Sequence, residues 1–139
     1  MREILFRGKR MDNGEWVEGY YVKALDMYDK EIHTIFDTAT TFYSFGETSG
    51  FELIDPETIC QYTGLIDKNG KKIWEGDILE AHLDEFFPDD VTREKVIWHE
   101  NGWRTQETGC DDKEYLDEFD AENFEVVGNL YDNPELLEV

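Results

Sequence analysis

Apolar residues gather in short β-branched and aromatic runs of strand length, separated by Gly, Asn, Asp and Pro, so strand signals dominate the chain. Arg2–Arg7 is a short β-prone run, and Glu15–Lys23 follows it after Asp12-Asn13-Gly14. An Asn-Gly pair between two such runs predicts a hairpin, because a type I′ turn needs positive φ at both central residues. Ile32–Phe36 and Thr40–Phe45 are β-branched and aromatic and read as strands. A polar loop bracketed by Gly46 and Gly50 leads into a short strand, Phe51–Ile54. Asp55-Pro56-Glu57 breaks it, with Asp55 placed to cap one helical turn and Pro56 at its first position.

The second half opens with Gln61-Tyr62-Thr63-Gly64. Leu65–Asp67, the turn Lys68-Asn69-Gly70-Lys71 and Lys72–Trp74 form a second Asn-Gly hairpin. Glu75-Gly76-Asp77 leads into a strand at Ile78–Leu83, and an acidic loop, Asp84–Asp90, follows. Thr92–His99 reads as a strand, Asn101-Gly102 as a third hairpin turn, and Trp103–Thr108 as its return. Lys113–Phe119 places Tyr115, Leu116 and Phe119 at helical spacing and is the one predicted helix. Phe124–Tyr131 is the last strand, stopped by Asn133-Pro134. Strands do not alternate with helices, which argues against a parallel α/β sheet. The segment from Asn13 to Gly19 weakly resembles that from Asn69 to Gly76: a tight turn, a Trp, then Glu-Gly. Two units are too few for a solenoid, so these are read as two similar hairpins. Trp16, Tyr20, Trp74, Trp98 and Trp103 lie in or beside strands, where aromatics form core and cross-strand pairs.

The chain has 139 residues, the size of one domain, with 34 Asp and Glu against 13 Lys and Arg, a formal net charge of −21. High charge with few apolar residues would signal disorder. Here 40% hydrophobic and 14% aromatic residues supply a core, so an acidic folded domain is expected. The charge argues against direct nucleic-acid binding, which needs clustered cations, and against an anionic membrane. No apolar run is long enough for a membrane helix, and no leader pattern follows Arg2. Cys60 and Cys110 are expected as reduced cytosolic thiols. The charge is uneven. Arg2, Arg7, Lys9 and Arg10 crowd the first ten residues, residues 31–67 contain no Lys or Arg, and residues 105–139 hold twelve acids against Lys113.

Motifs for chemistry are sparse. Asp67-Lys68-Asn69-Gly70 begins like a calcium loop, but position twelve is Ile78 rather than Glu. His33, His82 and His99 have no ligand spacing, so no metal site is assigned. No phosphate loop, nucleophile elbow or cysteine-nucleophile signature is present, and no pair among the many carboxylates is singled out. No catalytic residue and no cofactor are therefore expected, and the chain is not read as an enzyme.

Three segments resemble the YopX family of bacteriophage and prophage proteins. The first runs from Arg2 to Arg10 with Asn13–Gly19, the second from Gln61 to Ile78, and the third from Val126 to Leu136. They lie in order and frame nearly the whole chain. The resemblance implies a mostly β fold and offers no catalytic residue to carry over. Glu75-Gly76-Asp77-Ile78 is also similar to strand starts in small SH3-like barrels. The expected fold is mainly β, α+β at most. An N-terminal antiparallel β subdomain, 1–55, would be followed by a C-terminal SH3-like, barrel-like β subdomain with one short helix, 56–139, within one compact unit.

The functional expectation is a phage or prophage accessory protein of the bacterial host cytoplasm, acting by contact with a host or phage protein. The alternative is an acidic nucleic-acid mimic that fills the basic groove of a host DNA-binding enzyme. A hydrolase ranks last. The candidate interaction residues are Asp84, Glu85, Asp89, Asp90, Asp111, Asp112, Glu114, Asp117 and Glu118. A homo-oligomer, with the basic arm of one copy on the acidic tail of another, is a further expectation.

Overall fold

The structure is a computed structural model that describes residues 3–42, 48–82, 86, 87 and 89–138, with the backbone alone at 38–42 and 48–50. The chain divides into two units, Met1–Tyr62 and Thr63–Val139, later than the break at Asp55-Pro56. The boundary moves because Asp55 caps the 3-10 turn Pro56–Thr58, and the residues after it return to the first unit. There Cys60 and Gln61, at the start of β5 (Cys60–Ile66), pair with Arg7 and Phe6.

In the first unit, β1 (Phe6–Lys9), β2 (Trp16–Leu25), β3 (Glu31–Phe42) and β4 (Thr48–Leu53) form antiparallel neighbours in the spatial order β4-β3-β2-β1. The two strands expected at Ile32–Phe36 and Thr40–Phe45 are one strand as far as Phe42, with a register shift against β4 between Phe36 and Thr41. Gly46 lies outside the described residues, and Gly50 belongs to β4 rather than a loop. One face packs Ile35 against Ile54 and Gly8, with Leu5 and Cys60 also buried. Two glycines permit that packing. A Cβ on Gly8 would lie 2.4 Å from the Ile54 side chain, and one on Gly19 would lie 2.0 Å from the Phe36 carbonyl oxygen.

In the second unit, β6 (Lys72–Trp74) follows the Asn69-Gly70 turn. β7 (Asp77–His82), β8 (Val91–His99), β9 (Gly102–Glu107), β10 (Glu114–Tyr115) and β11 (Glu125–Asn129) form an antiparallel sheet in the order β10-β9-β8-β7-β11. The mainly β expectation holds. The barrel-like unit, however, is an open sheet: a barrel needs its edge strands to pair, while β10 pairs with β9 and β11 with β7. Ile73, Leu79, Val96, Leu116, Ala121 and Val126 form its core, with Leu65, Trp103 and Phe124 against it. Each fully buried Ile, Leu or Val among these contributes about 1.5–3 kcal/mol.

The helix expected over Lys113–Phe119 starts later. Glu114 and Tyr115 pair with Thr105 and Arg104 as β10, and the Leu116 N–H donates to the Trp103 carbonyl at 3.1 Å. The Arg104 guanidinium lies 3.9 Å from the centre of the Tyr115 ring. Asp117 is extended and caps α1 (Glu118–Ala121), its Oδ1 accepting from the Asp120 N–H at 2.8 Å. Cross-strand contacts thus override local helical spacing. The third hairpin also turns one residue early. His99 pairs with Gly102, so Glu100 and Asn101 occupy the turn, with Glu100 at φ 57°. Trp98 faces Trp103, their rings edge to face at 5.0 Å.

Two hairpin turns, Asp26–Lys30 and Asp67–Lys71, are built alike. In each, the Asp N–H bonds to the Lys carbonyl, at 2.9 and 2.8 Å, and the Asp Oδ1 accepts from the N–H groups two and four residues on. The fourth residue is left-handed in both, Asp29 at φ 59° and Gly70 at φ 80°. They differ in burial. Asp26 is only half-buried, whereas Asp67 is 3% exposed and its Oδ2 accepts from the Val126 N–H at 2.9 Å. Asp67→Asn would turn an amide N–H₂ or an already engaged oxygen toward that donor and should cost about 2–3 kcal/mol. Asp26→Asn keeps its acceptor and should change stability by less than about 0.5 kcal/mol. Urea unfolding of the two variants measures the difference, and equal effects would refute this account of Asp67.

Candidate functional site

Burial raises the pKa of a carboxyl and hydrogen bonds from N–H groups lower it. At Asp67 the burial is outweighed by backbone donors from Val126, Lys71 and Asn69 and by the Lys71 charge, so the carboxyl titrates below its ordinary range. Asp67 is therefore a structural anion. Its turn nevertheless forms one wall of a depression in the second unit. The depression has a volume of about 570 Å³ and is lined by Leu65, Ile66, Lys68 and Gly70 on the hairpin side, with Glu118 of α1 and Glu122 at its C-terminal cap. Lys68 is anchored by its N–H on the Phe124 carbonyl at 3.0 Å, and its Nζ lies 3.8 Å from Glu125. Glu118 and Glu122, four residues apart, share one side of the α1 turn. Ile66 is 51% exposed and Phe119 is 75% exposed. The site is thus an open, charged concavity with the exposed Ile66 in its lining, and Phe119 follows Glu118 on α1.

A carboxylate cluster lies near α1. Glu94 on β8 stands directly opposite Glu107 on β9. It is half-buried beside Leu79 and Val96, with its carboxyl bonded to Thr105. Its pKa is raised, first by burial, then by the charges of Glu114 and Glu107, with Asp120 adding to them. Asp120 is raised as well, by burial and by Asp117. Among the described residues, no group of three or more His, Cys, Asp and Glu is arranged to hold a metal ion. No helix among them is long and apolar enough to cross a membrane. Cys60 and Cys110 form no disulfide.

Among the described residues, the candidates named from sequence fall into three places. Asp84 and Glu85 lie outside the described residues. Asp89 and Asp90 are exposed on the turn before β8, beside Phe86 and Phe87. Asp111 and Asp112 are exposed between β9 and β10. Glu114, Asp117 and Glu118 do converge: Glu114 faces Glu94, Asp117 caps α1 and Glu118 lines the depression. Glu94, Glu107, Asp120, Lys68 and Glu122 escape a motif search. One signal for Glu94 is visible in the alternation Thr92, Glu94, Val96, Trp98, which places an acid on the apolar face.

A carboxyl with a raised folded pKa binds its proton more tightly in the folded state than in the unfolded one. Ionised Glu94 therefore weakens the fold at neutral pH, and that loss is relieved as pH falls through the raised value toward the ordinary value near about 4.3. Glu94→Gln should stabilise by about 0.5–1 kcal/mol at pH 7, the usual size of a like-charge cross-strand penalty, and by much less near pH 4. Thermal unfolding at the two pH values checks this, and a stabilisation that is the same at both would contradict it.

The fold is found elsewhere. The crystal structure of protein EF1440 from Enterococcus faecalis is similar at a TM-score of 0.63, with 22% sequence identity over 99% of this chain and 100% of that one. No curated protein matches the chain in sequence. The model of the YopX protein family matches residues 5–138, nearly the full length, and the chain belongs to that family.

Proposed function

We propose that this is a bacteriophage or prophage accessory protein that acts in the bacterial cytoplasm by contact with a host or phage protein, without catalysis or cofactor. The phage setting is what the family resemblance implies. The contact reading is supported by the surface at α1, where the exposed Ile66 lines a concavity edged by Glu118, Glu122 and Lys68, and the exposed Phe119 follows Glu118 on α1. Protein interfaces are anchored by apolar and aromatic side chains inside a polar rim, and this surface has that composition. An enclosed, mainly apolar pocket suits a small molecule better than this open one does. The excess of carboxylates selects a cation-bearing protein surface.

Tagged protein captured from infected or lysogenic cells should retain a defined partner. The double variant Phe119→Ser, Glu118→Lys should lose it while keeping its circular dichroism spectrum, because both side chains are exposed. Equal recovery by the two proteins would refute this use of the surface. A second reading, the acidic mimic, is supported by the exposed carboxylates of Asp111, Asp112, Glu114, Asp117 and Glu118. It requires salt-sensitive inhibition of a DNA-binding enzyme that Asp111→Asn, Asp112→Asn and Glu114→Gln together abolish.

A further inference from the structure

One face of the first unit's sheet is the core face just described, and strand alternation sends the intervening side chains to the other. The pairing register aligns these in two rows across three strands: Tyr20 on β2, Phe36 on β3 and Phe51 on β4, then Val22, Thr34 and Leu53. Tyr20 is 52% exposed, Phe51 43%, Leu53 47% and Val22 40%. The Phe36 and Phe51 rings lie 5.7 Å apart. One strand further on, the same face presents Arg7 and Lys9, paired with Glu18 and Trp16. Their cationic ends sit 4.7 and 5.4 Å from the centre of the Trp16 ring. In a chain with only 13 cations, an apolar stripe ending in two of them is a specific surface.

A segment with the complementary order lies on the turn before β8. Phe86 is 88% exposed and Phe87 63%, and the exposed Asp89 and Asp90 follow. The Asp90 N–H donates to the Phe87 carbonyl at 2.9 Å. Such a turn holds its first and fourth residues within about 7 Å. The step from Tyr20 across to Arg7 is about 8 Å, one strand spacing sideways and two residues along.

We propose that the aromatic stripe of one copy receives the Phe86, Phe87, Asp89, Asp90 turn of a second copy, head to tail, with the phenyl rings on Tyr20, Phe36 and Phe51 and the carboxylates on Arg7 and Lys9. The match of apolar to apolar and anion to cation selects this occupant. The two patches are different surfaces, so the contact is heterologous and one copy can be bound at both ends. The charge of −21 on each copy opposes association at a distance. The contact is short-ranged and concentration-dependent for that reason.

Sedimentation velocity of the full chain over a concentration series tests this. The wild type should form dimers and longer assemblies. The acceptor variant Tyr20→Ser, Phe51→Ser and the donor variant Phe86→Ser, Phe87→Ser should each weaken self-association by more than about tenfold. Mixed together they should form a dimer that grows no further, because one intact patch remains on each. If the acceptor variant fails to fold, Lys9→Glu replaces it, with Asp89→Lys, Asp90→Lys as the compensating donor. Monomer at every concentration, assemblies that either variant leaves intact, or a variant mixture that stays monomeric overturns the proposal. Phe119→Ser, Glu118→Lys should leave self-association unchanged, so a failure here is separable from a failure of the α1 surface to bind a partner.

Discussion

The buried carboxylate of Asp67 organises the second unit. Asp67 accepts N–H groups from its own turn and from Val126, 59 residues further along the chain. Burying an anion is costly unless donors replace its water, and here three backbone donors do so at 2.9 Å each. The same bonds align the turn with β11, since Lys68 reaches the Phe124 carbonyl beside them. Nearby, Asp77 is 1% exposed and accepts the Trp74 N–H at 2.8 Å, which shapes the turn at Glu75-Gly76. Leu130 then donates to the Gly76 carbonyl at 2.8 Å. The Asp67 carboxylate that opens the calcium-like stretch in the sequence is therefore satisfied by the chain's own backbone.

The remaining charge pulls the other way. Glu94, Glu107, Glu114 and Asp120 gather where the sheet meets α1, and burial makes Glu94 resist ionisation. A fold that keeps like charges opposed across a hairpin gives up stability there. The concavity and the cluster both depend on where α1 begins, and Asp117 sets that point. Had the helix started at Lys113, as side-chain spacing suggests, Glu114 would not sit opposite Thr105 beside Glu94.

The C-terminal motif is architecture of the same kind. The Asn129 Oδ1 accepts from the N–H groups of Tyr131 and Asp132, and Asn133 fills the space in which a Gly128 Cβ would stand, its Oδ1 2.6 Å away. These segments carry the family resemblance because the turns they build need those side chains. The side-chain bonds of Asn129 and Asn133 reach only two to four residues, so this C-terminal turn is readable from local sequence.

Although only the glycine of each Asn-Gly pair takes positive φ and β11 ends at Asn129, before the Asn133-Pro134 stop, strand content and the turns that reach Gly14 and Gly70 follow from the chain alone, because local φ preference determines them. Register does not. In the β8–β9 hairpin a turn centred on Asn101-Gly102 would set Glu94 opposite Gly109. The turn at Glu100-Asn101 sets it opposite Glu107, and the Trp98–Trp103 contact accompanies that choice. The two Glu-Gly segments that look alike also diverge: Gly19 lies within β2 against the Phe36 carbonyl, while Gly76 turns at φ 83°. Sequence decides which stretches extend and which turn, since those energies are local. Which carboxylate is buried, which pair is opposed and which aromatic rows align depend on contacts between residues distant in sequence, and only the tertiary structure brings those together.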